Sequence, residues 1–272
     1  MEKNVPIRSV ARSLLVLQVI NRARAMTLMQ IVRETGLPYP TACRIIQTLM
    51  HEGMVEREPG TKRYRPSALV QTLSHGFTDE SRLVTAAESL IREFTRNAAW
   101  PVSVTSHVGD QMIVRASTHP LTTLTFSHYD PGYSFPILEC AAGHVYLAFL
   151  SDRARNDILA NIQRVRRTEQ PVSMFMFQGD NYFEKVRAAG YATMARSQHN
   201  QNPGKTSSIA VPILYRGAVL GCLTLIFFAT SMTMQEAIER FVEPMKKLGT
   251  DIAAKVQEAD EIDDDDLLLE DA

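Results

Sequence analysis

Between Thr27 and Gly53 the chain is punctuated so tightly that few folds can accommodate it. Thr27, followed three residues later by Gln30, has the capping-box pattern, in which each side chain satisfies a backbone N–H left open at a helix start. Leu28, Ile31 and Val32 then recur at helical spacing. Gly36 supplies the left-handed residue on which helices commonly end. Pro40 suits the first turn of a following helix, where a missing N–H costs nothing. Ala42, Ile45, Ile46 and Leu49 form the inward stripe of that helix, and Gly53 closes it. Upstream, Val10, Leu14, Leu17 and Val19–Ile20 predict another helix with Ser9 as its N-cap.

Two short helices across a tight turn make a helix-turn-helix, whose second helix enters the major groove of DNA. Thr41, Cys43, Arg44, Gln47 and Thr48 are left facing outward on that second helix. Hydroxyls, an amide and a guanidinium reach base edges, so Thr41, Arg44, Gln47 and Thr48 are the candidate groove residues. Beyond Gly53, residues 54–57 and 62–65 flank Glu58-Pro59-Gly60-Thr61 and read as a β-hairpin. Its tip and return strand carry Lys62, Arg63 and Arg65, which join Arg8 and Arg12 as candidates for phosphate contacts. Residues 1–66 are thus expected to form a winged helix-turn-helix. The competing reading is a three-helix bundle for protein contacts; the basic wing and outward Arg44 favour DNA.

Charge follows the same division. Residues 1–66 hold eleven Lys/Arg against five Asp/Glu, whereas 258–272 hold nine acids and no base, although the net charge is only -1. A basic head on a near-neutral body suits a protein that grips nucleic acid with one end. The acidic tail, 258–272, is expected to be solvated and disordered. Three cysteines (Cys43, Cys140, Cys222) without CxxC spacing argue against structural zinc and a disulfide framework and fit a reducing cytoplasm. The N-terminus shows no secretory signal, and no apolar run reaches membrane-spanning length.

From Ser67 the pattern changes. Residues 67–77 read as a linker helix and 80–97 as a longer amphipathic helix. Strands are expected at 101–108, 111–116, 122–126, 208–214 and 218–228, with hairpins at Gly109-Asp110 and Tyr215-Arg216-Gly217. Helices are expected at 141–150, 152–162, 181–189 and 235–257. Strand pairs interleaved with helices predict an α+β domain over 78–257, built on an antiparallel sheet.

The N-terminal stretch resembles the DNA-binding domain of the IclR family of transcription regulators. The resemblance rests on Ser9-Val10-Ala11-Arg12-Ser13-Leu14, Gly36-Leu37-Pro38, Thr41 with Arg44, Thr48-Leu49, Glu52-Gly53 and Tyr64-Arg65. The C-terminal half resembles that family's GAF-like effector domain through Ala141-Ala142-Gly143-His144 with Leu147-Ala148, Gly190-Tyr191-Ala192, Ile209-Ala210-Val211-Pro212-Ile213 and Gly221-Cys222-Leu223. Together these cover about residues 8–257. Residues Met112 to His119 are most similar to the branch that activates hydroxyphenylpropionate degradation.

The resemblance implies a DNA-binding regulator of an aromatic-catabolic operon, acting on promoter DNA as a homodimer or tetramer, with RNA polymerase as a further partner. It also implies an effector lying against the sheet, at positions matching Ala141, Ala142, Met194, Ser208, Thr224 and Ile226. Helix-start amides favour a carboxylate. Several relatives carry an acid or hydroxyl where this chain has Met194 and Ile226, a change that suits an aromatic ring. Arg196 and His199 are candidates to pair with the carboxylate, with a solvated loop as the alternative. Met174–Phe177 reads as a lid or as ordinary core.

No cofactor, metal or catalytic constellation is implied. Residues 203–206 imitate the end of a P-loop, but His199 stands where its first glycine belongs. The rival readings are a DNA-tethered enzyme using Cys140 and His144, four apart, and an effector-independent DNA-binding protein.

Overall fold

The computed structural model describes residues 7–75, 82–126, 129–165, 181–196 and 204–270, with side chains throughout except at 164–165 and 262–270. The chain divides into two compact units, Met1–Asp79 and Glu80–Ala272.

In the first unit, helices α1 (Arg8–Ala23), α2 (Leu28–Thr35) and α3 (Tyr39–His51) enclose a core of Val16, Leu17, Ile20, Ile31, Ala42, Ile45, Ile46 and Leu49. Strand β1 (Met26–Thr27) pairs with β3 (Arg63–Pro66), which also pairs with β2 (Val55–Arg57). Thr27 ends β1 and caps α2 through the expected capping box with Gln30, and Gly36 ends α2 at φ 64°. A 3₁₀ helix, Ala68–Ser74, follows the wing; Gly76, its expected end, lies outside the described residues. Ser67 starts it, accepting from Leu69 N–H while donating to Gly53 O.

Helix α1 departs from expectation at its start. Ser9 is not the cap: the helix begins at Arg8, because Ile7 O already accepts from Ala11 N at 3.1 Å. Val10 and Leu14, expected inward, are each 53% exposed. Only the second half of α1 meets α2 and α3, so only Val16, Leu17 and Ile20 are buried.

The second unit is built on a six-stranded antiparallel sheet in the order β6-β5-β4-β9-β8-β7. The strands are β4 (Val102–Val108), β5 (Gln111–Ser117), β6 (Ser134–Pro136), β7 (Ala192–Met194), β8 (Thr206–Tyr215) and β9 (Ala218–Phe228). Side chains alternate across a strand, so β8 and β9, apolar at nearly every position, serve two cores. Ile209, Val211, Ile213, Leu223, Leu225 and Phe227 pack with α4 (Arg82–Ala98) and α8 (Met234–Glu270). Ala210 and Cys222 face the other way, against α5 (Ala141–Phe149) and α7 (Tyr182–Ala189). Helix α6 (Asp152–Val165) adds Ile162 to that second core.

Three expectations are corrected. Residues 122–126 form no strand. After a 3₁₀ turn (His119–Leu121), the Thr122 hydroxyl donates to Ala99 O at 2.8 Å and accepts from Leu124 N at 3.1 Å. A threonine bonded to nearby backbone in this way competes with a ladder, and β6 pairs with β5 instead. Strand β7, between Gly190 and the next loop, was not anticipated. The last helix does not stop near Gln257 but continues to Glu270, where disorder was expected. Tyr215 Oη donates to Asp260 at 2.7 Å and Arg82 pairs with the same carboxylate, fixing the helix beyond the expected end. Among the described residues, no helix is long and apolar enough to cross a membrane.

Helix α5 sits unusually close to the 3₁₀ turn Ile137–Glu139: a Cβ on Gly143 would lie 1.8 Å from Ile137 O. Backbone cannot yield as a flexible side chain does. Gly143→Ala is therefore expected to destabilise the fold by at least ~1–3 kcal/mol, the usual cost of overpacking. A denaturant midpoint equal to wild type would refute this close seating.

Candidate functional site

Helix α3 has one buried stripe, and its opposite face presents Arg44, Gln47 and Thr48 to solvent, with Thr41 and Cys43 half-buried beside them. Thr48 Oγ1 donates to Arg44 O at 3.0 Å, leaving the hydroxyl oxygen to accept from an amino group on a base edge. The left-handed turn at Gly36 sets α3 against α2, and the inward residues anchor it to α1. Arg44 is thus carried on a rigid element rather than a loop.

The wing places the basic residues differently from one another. Gly60, at φ 71°, turns the tip, and Lys62 beside it is exposed. Arg63 donates to Ala25 O at 2.6 Å and so ties the wing to the α1–β1 junction. Arg65 meets Glu56 across the strand pair at 2.7 Å. Both partners are about half exposed, and such surface pairs contribute only ~0–1 kcal/mol. A phosphate can displace Glu56 at little cost. Arg8 and Arg12 stand exposed on α1.

In the second unit, strand register brings four of the expected effector residues onto one sheet face. Met194, Ser208 and Ile226 lie directly opposite one another across β7, β8 and β9. The adjacent row runs Ala192, Ala210, Thr224, Ser103 and Ser117, across β7, β8, β9, β4 and β5. Thr224 is 8% exposed, and its Oγ1 has no hydrogen-bond partner among the described residues. A buried hydroxyl left unpaired costs ~1–3 kcal/mol, so this one has the capacity for a further hydrogen bond.

The same face is covered by α5, with Ala141 and Ala142 buried at its start. Cys222, two residues before Thr224 on β9, donates its thiol to Ala142 O at 3.4 Å. This places the beginning of α5 over Cys222, two positions from Thr224 on the same face of β9. Cys140 caps the helix, its sulfur accepting from Gly143 N at 3.3 Å.

Arg196 does not join this group. It follows β7 at φ 35°, its N–H donates to Ser207 Oγ at 3.4 Å, and its guanidinium donates to Ala229 O at 3.0 Å. Ser207 alternates with Ser208 and belongs to the opposite face. Arg196 thereby lines a separate open cleft of about 630 Å³ with Ala195, Ser207 and the segment leading into α8. His199, Met174–Phe177 and Pro203 lie outside the described residues.

Cys140 and His144 are both held in structural roles. Burial pushes the Cys140 thiol up to about 12, so it stays protonated and poorly nucleophilic at neutral pH. His144 Nε2 is 3.0 Å from Leu138 O, which can only accept, so that nitrogen carries the proton. Its Nδ1 therefore accepts from Tyr182 Oη at 2.8 Å. Tyr182 was not anticipated, because its pairing joins residues 38 apart that no local pattern links. Among the described residues, no group of three His, Cys, Asp or Glu is placed to hold a metal ion.

A helix-turn-helix with a cationic wing, followed by an α+β unit on a six-stranded antiparallel sheet, defines a two-unit class of helix-turn-helix protein. The model of the IclR helix-turn-helix domain matches residues 9–59, and that of the bacterial transcriptional regulator IclR C-terminal domain matches residues 75–254. The chain belongs to the IclR family of bacterial transcriptional regulators.

Among relatives, the Pca regulon regulatory protein of Pseudomonas putida is 24% identical over 250 residues, covering 90% of this chain and 82% of that protein. The crystal structure of an IclR family transcriptional regulator from Brucella abortus superposes with a TM-score of 0.66 at 19% identity, covering 93% of this chain and 94% of its own. That of an IclR homolog from Microbacterium hydrocarbonoxydans, complexed with 4-hydroxybenzoate, gives a TM-score of 0.57 at 18% identity, covering 92% and 99%. At these identities the two structures establish the fold.

Burial lowers the His144 pKa below its ordinary value of 6.5, so the folded protein holds it neutral. The unfolded chain takes up that proton near pH 6.5. His144 thus supports stability above this pH and withdraws the support as pH falls. Tyr182→Phe, which leaves Nδ1 without its donor, is expected to cost ~1–3 kcal/mol at pH 8. Chemical denaturation at pH 8 checks this, and a midpoint matching wild type would show the Tyr182 bond to be dispensable.

Proposed function

We propose that this regulator is an activator of an aromatic-compound catabolic operon, switched by a small aromatic carboxylate bound between the start of α5 and the β7–β8–β9 face. Arg44, Thr41, Gln47 and Thr48 read base edges; Arg8, Arg12, Lys62, Arg63 and Arg65 hold phosphates. Helix-turn-helix proteins place two recognition helices in successive major grooves, so the working form is a homodimer or a tetramer of dimer pairs on a palindromic site. Activation brings RNA polymerase to the promoter, and the setting is the cytoplasm.

The observation that carries the effector reading is the buried, unpaired Thr224 hydroxyl on the face that α5 covers. The start of α5 at Ala141 and Ala142, the positive end of a helix, suits a carboxylate. Met194 and Ile226 supply apolar walls rather than the acid or hydroxyl of relatives, as an aromatic ring requires. The names of two similar proteins, one a Pca regulon regulator and one bound to 4-hydroxybenzoate, support the same ligand class. Binding one arrangement of the protein better than another then shifts DNA affinity.

Two measurements test the reading. Arg44→Ala is expected to reduce discrimination between the promoter site and random DNA by ~1–3 kcal/mol, read by fluorescence anisotropy at fixed salt. Equal weakening on both DNAs would make Arg44 a phosphate contact instead. Benzoate is expected to raise the melting temperature of the wild-type protein and less so that of Thr224→Val. A panel of aromatic acids that leaves both melting temperature and DNA affinity unmoved would remove the effector assignment.

A further inference from the structure

The cleft that Arg196 lines lies on the side of the sheet away from α5. Ser207, which also lines it, stands directly opposite Phe227 on β9, and Phe227 belongs to the α4–α8 core. Ser207 and Ser208 are consecutive on β8 and point to opposite sides. The cleft therefore shares no side chain with the face beneath α5. Its volume is about 630 Å³, within the ~300–1,000 Å³ of ordinary small-molecule sites. Met232 and Met234, both packed half-buried against the α4–α8 core, give it an apolar wall. Methionine is flexible and polarizable, so such a wall adapts to an apolar body.

Two polar groups in this cleft have donors to spare. Arg196 Nη2 donates to Ala229 O at 3.0 Å. Among the described residues, Nε and Nη1 have no acceptor, and no carboxylate pairs with the guanidinium. Ser207 is 7% exposed; its oxygen accepts from Arg196 N at 3.4 Å, and its own proton has no acceptor among the described residues. Arg196 is also held at φ 35°. A side chain keeps such a backbone conformation only where its surroundings impose it, and functional sites collect these residues. The start of α8, by contrast, is closed. Thr233 N and Oγ1 donate to Glu236 Oε2 at 2.7 and 2.9 Å, and Glu236 N donates to Thr233 Oγ1 at 3.2 Å. These bonds hold the exposed Glu236 carboxyl below its ordinary value, so an anion stands on the rim.

We infer that this cleft is a second small-molecule site, separate from the effector face, which takes a monocarboxylate with an apolar body. The Arg196 guanidinium and the Ser207 hydroxyl donate to the carboxylate, a charge-assisted bond beside a neutral one. The apolar body lies along Met232 and Met234, which offer no partner to a buried polar group. Glu236 repels a second negative charge, so the site distinguishes one carboxylate from two. The inference uses neither α5 nor Thr224 and stands independently of the effector assignment.

Isothermal titration of hexanoate into the full-length protein tests it, with hexanol and adipate as controls. Wild type is expected to bind hexanoate about tenfold or more tighter than hexanol, which lacks the charge that Arg196 meets. Adipate, with a second carboxylate, binds more weakly than hexanoate, and Glu236→Gln narrows that difference. Arg196→Ala weakens hexanoate about tenfold or more, and Ser207→Ala about three- to tenfold. Thr224→Val, which alters only the other face, leaves hexanoate affinity at the wild-type value. Arg196→Gly, which suits φ 35°, serves if the alanine variant fails to fold by circular dichroism. Absence of hexanoate binding by wild type overturns the site, as does undiminished binding by a folded Arg196 variant. Loss of binding in Thr224→Val but not in Arg196→Ala overturns it by placing the acid beneath α5. No binding, together with a sedimentation coefficient that changes in Arg196→Ala, overturns it in favour of a contact between subunits.

Discussion

The alternation of β8 and β9 between two cores is the constraint on which the second unit depends. Odd-numbered residues from Ile209 to Ile213 and from Leu223 to Phe227 are committed to the α4–α8 side. Ala210 and Cys222 are committed to the α5 side. A slip of one residue would exchange the two sets and expose both cores to the wrong helices. The register is held by the turn at Arg216 and Gly217, whose φ values of 49° and 77° match the two-residue hairpin geometry that follows strand twist. Ser208, Thr224 and Ile226 share a face as a consequence of that packing, whatever they bind.

Helix α5 is too short, at nine residues, to be stable by propensity. It is instead seated by specific contacts: Gly143 against Ile137 O, His144 between Leu138 O and Tyr182, and Cys222 under Ala142 O. These contacts account for residue types that might otherwise suggest catalysis. A cysteine and a histidine four apart on a helix resemble a nucleophile and its base, yet each is consumed by holding the helix start in position. The gain is a helix start fixed over Cys222 on β9.

Local chemistry was legible in the sequence and tertiary decisions were not. The Thr27–Gln30 capping box, the Gly36 stop, the wing and both strand hairpins are each determined by residues within a few positions of one another, and each formed as expected. Periodicity assigned Val10 and Leu14 to an inward stripe, but whether a stripe finds a partner depends on where α2 and α3 end. Thr122–Phe126 has strand composition, and its fate was decided by a bond from Thr122 to Ala99, 23 residues away. Charge alone marked 258–270 as solvated, whereas Tyr215 and Arg82 secure Asp260 from two other elements. At the proposed effector face, the resemblance supplied positions, and register then separated them: Met194, Ser208, Thr224 and Ile226 share a face, while Arg196 turns to Ala229.

That separation bears on how the ligand's charge is met. Arg196 is bonded to backbone on the other face, and Arg115 is directed to Ser106. In the reading proposed above, a carboxylate on the α5 face meets the positive end of the α5 helix dipole. Dipoles stabilise an anion less strongly than a buried ion pair, but they avoid leaving an arginine desolvated and unpaired when the site is empty. For a switch, that asymmetry is useful. In the switch proposed above, the ligand-free protein carries the modest penalty of the unpaired Thr224 hydroxyl, which a bound polar group relieves.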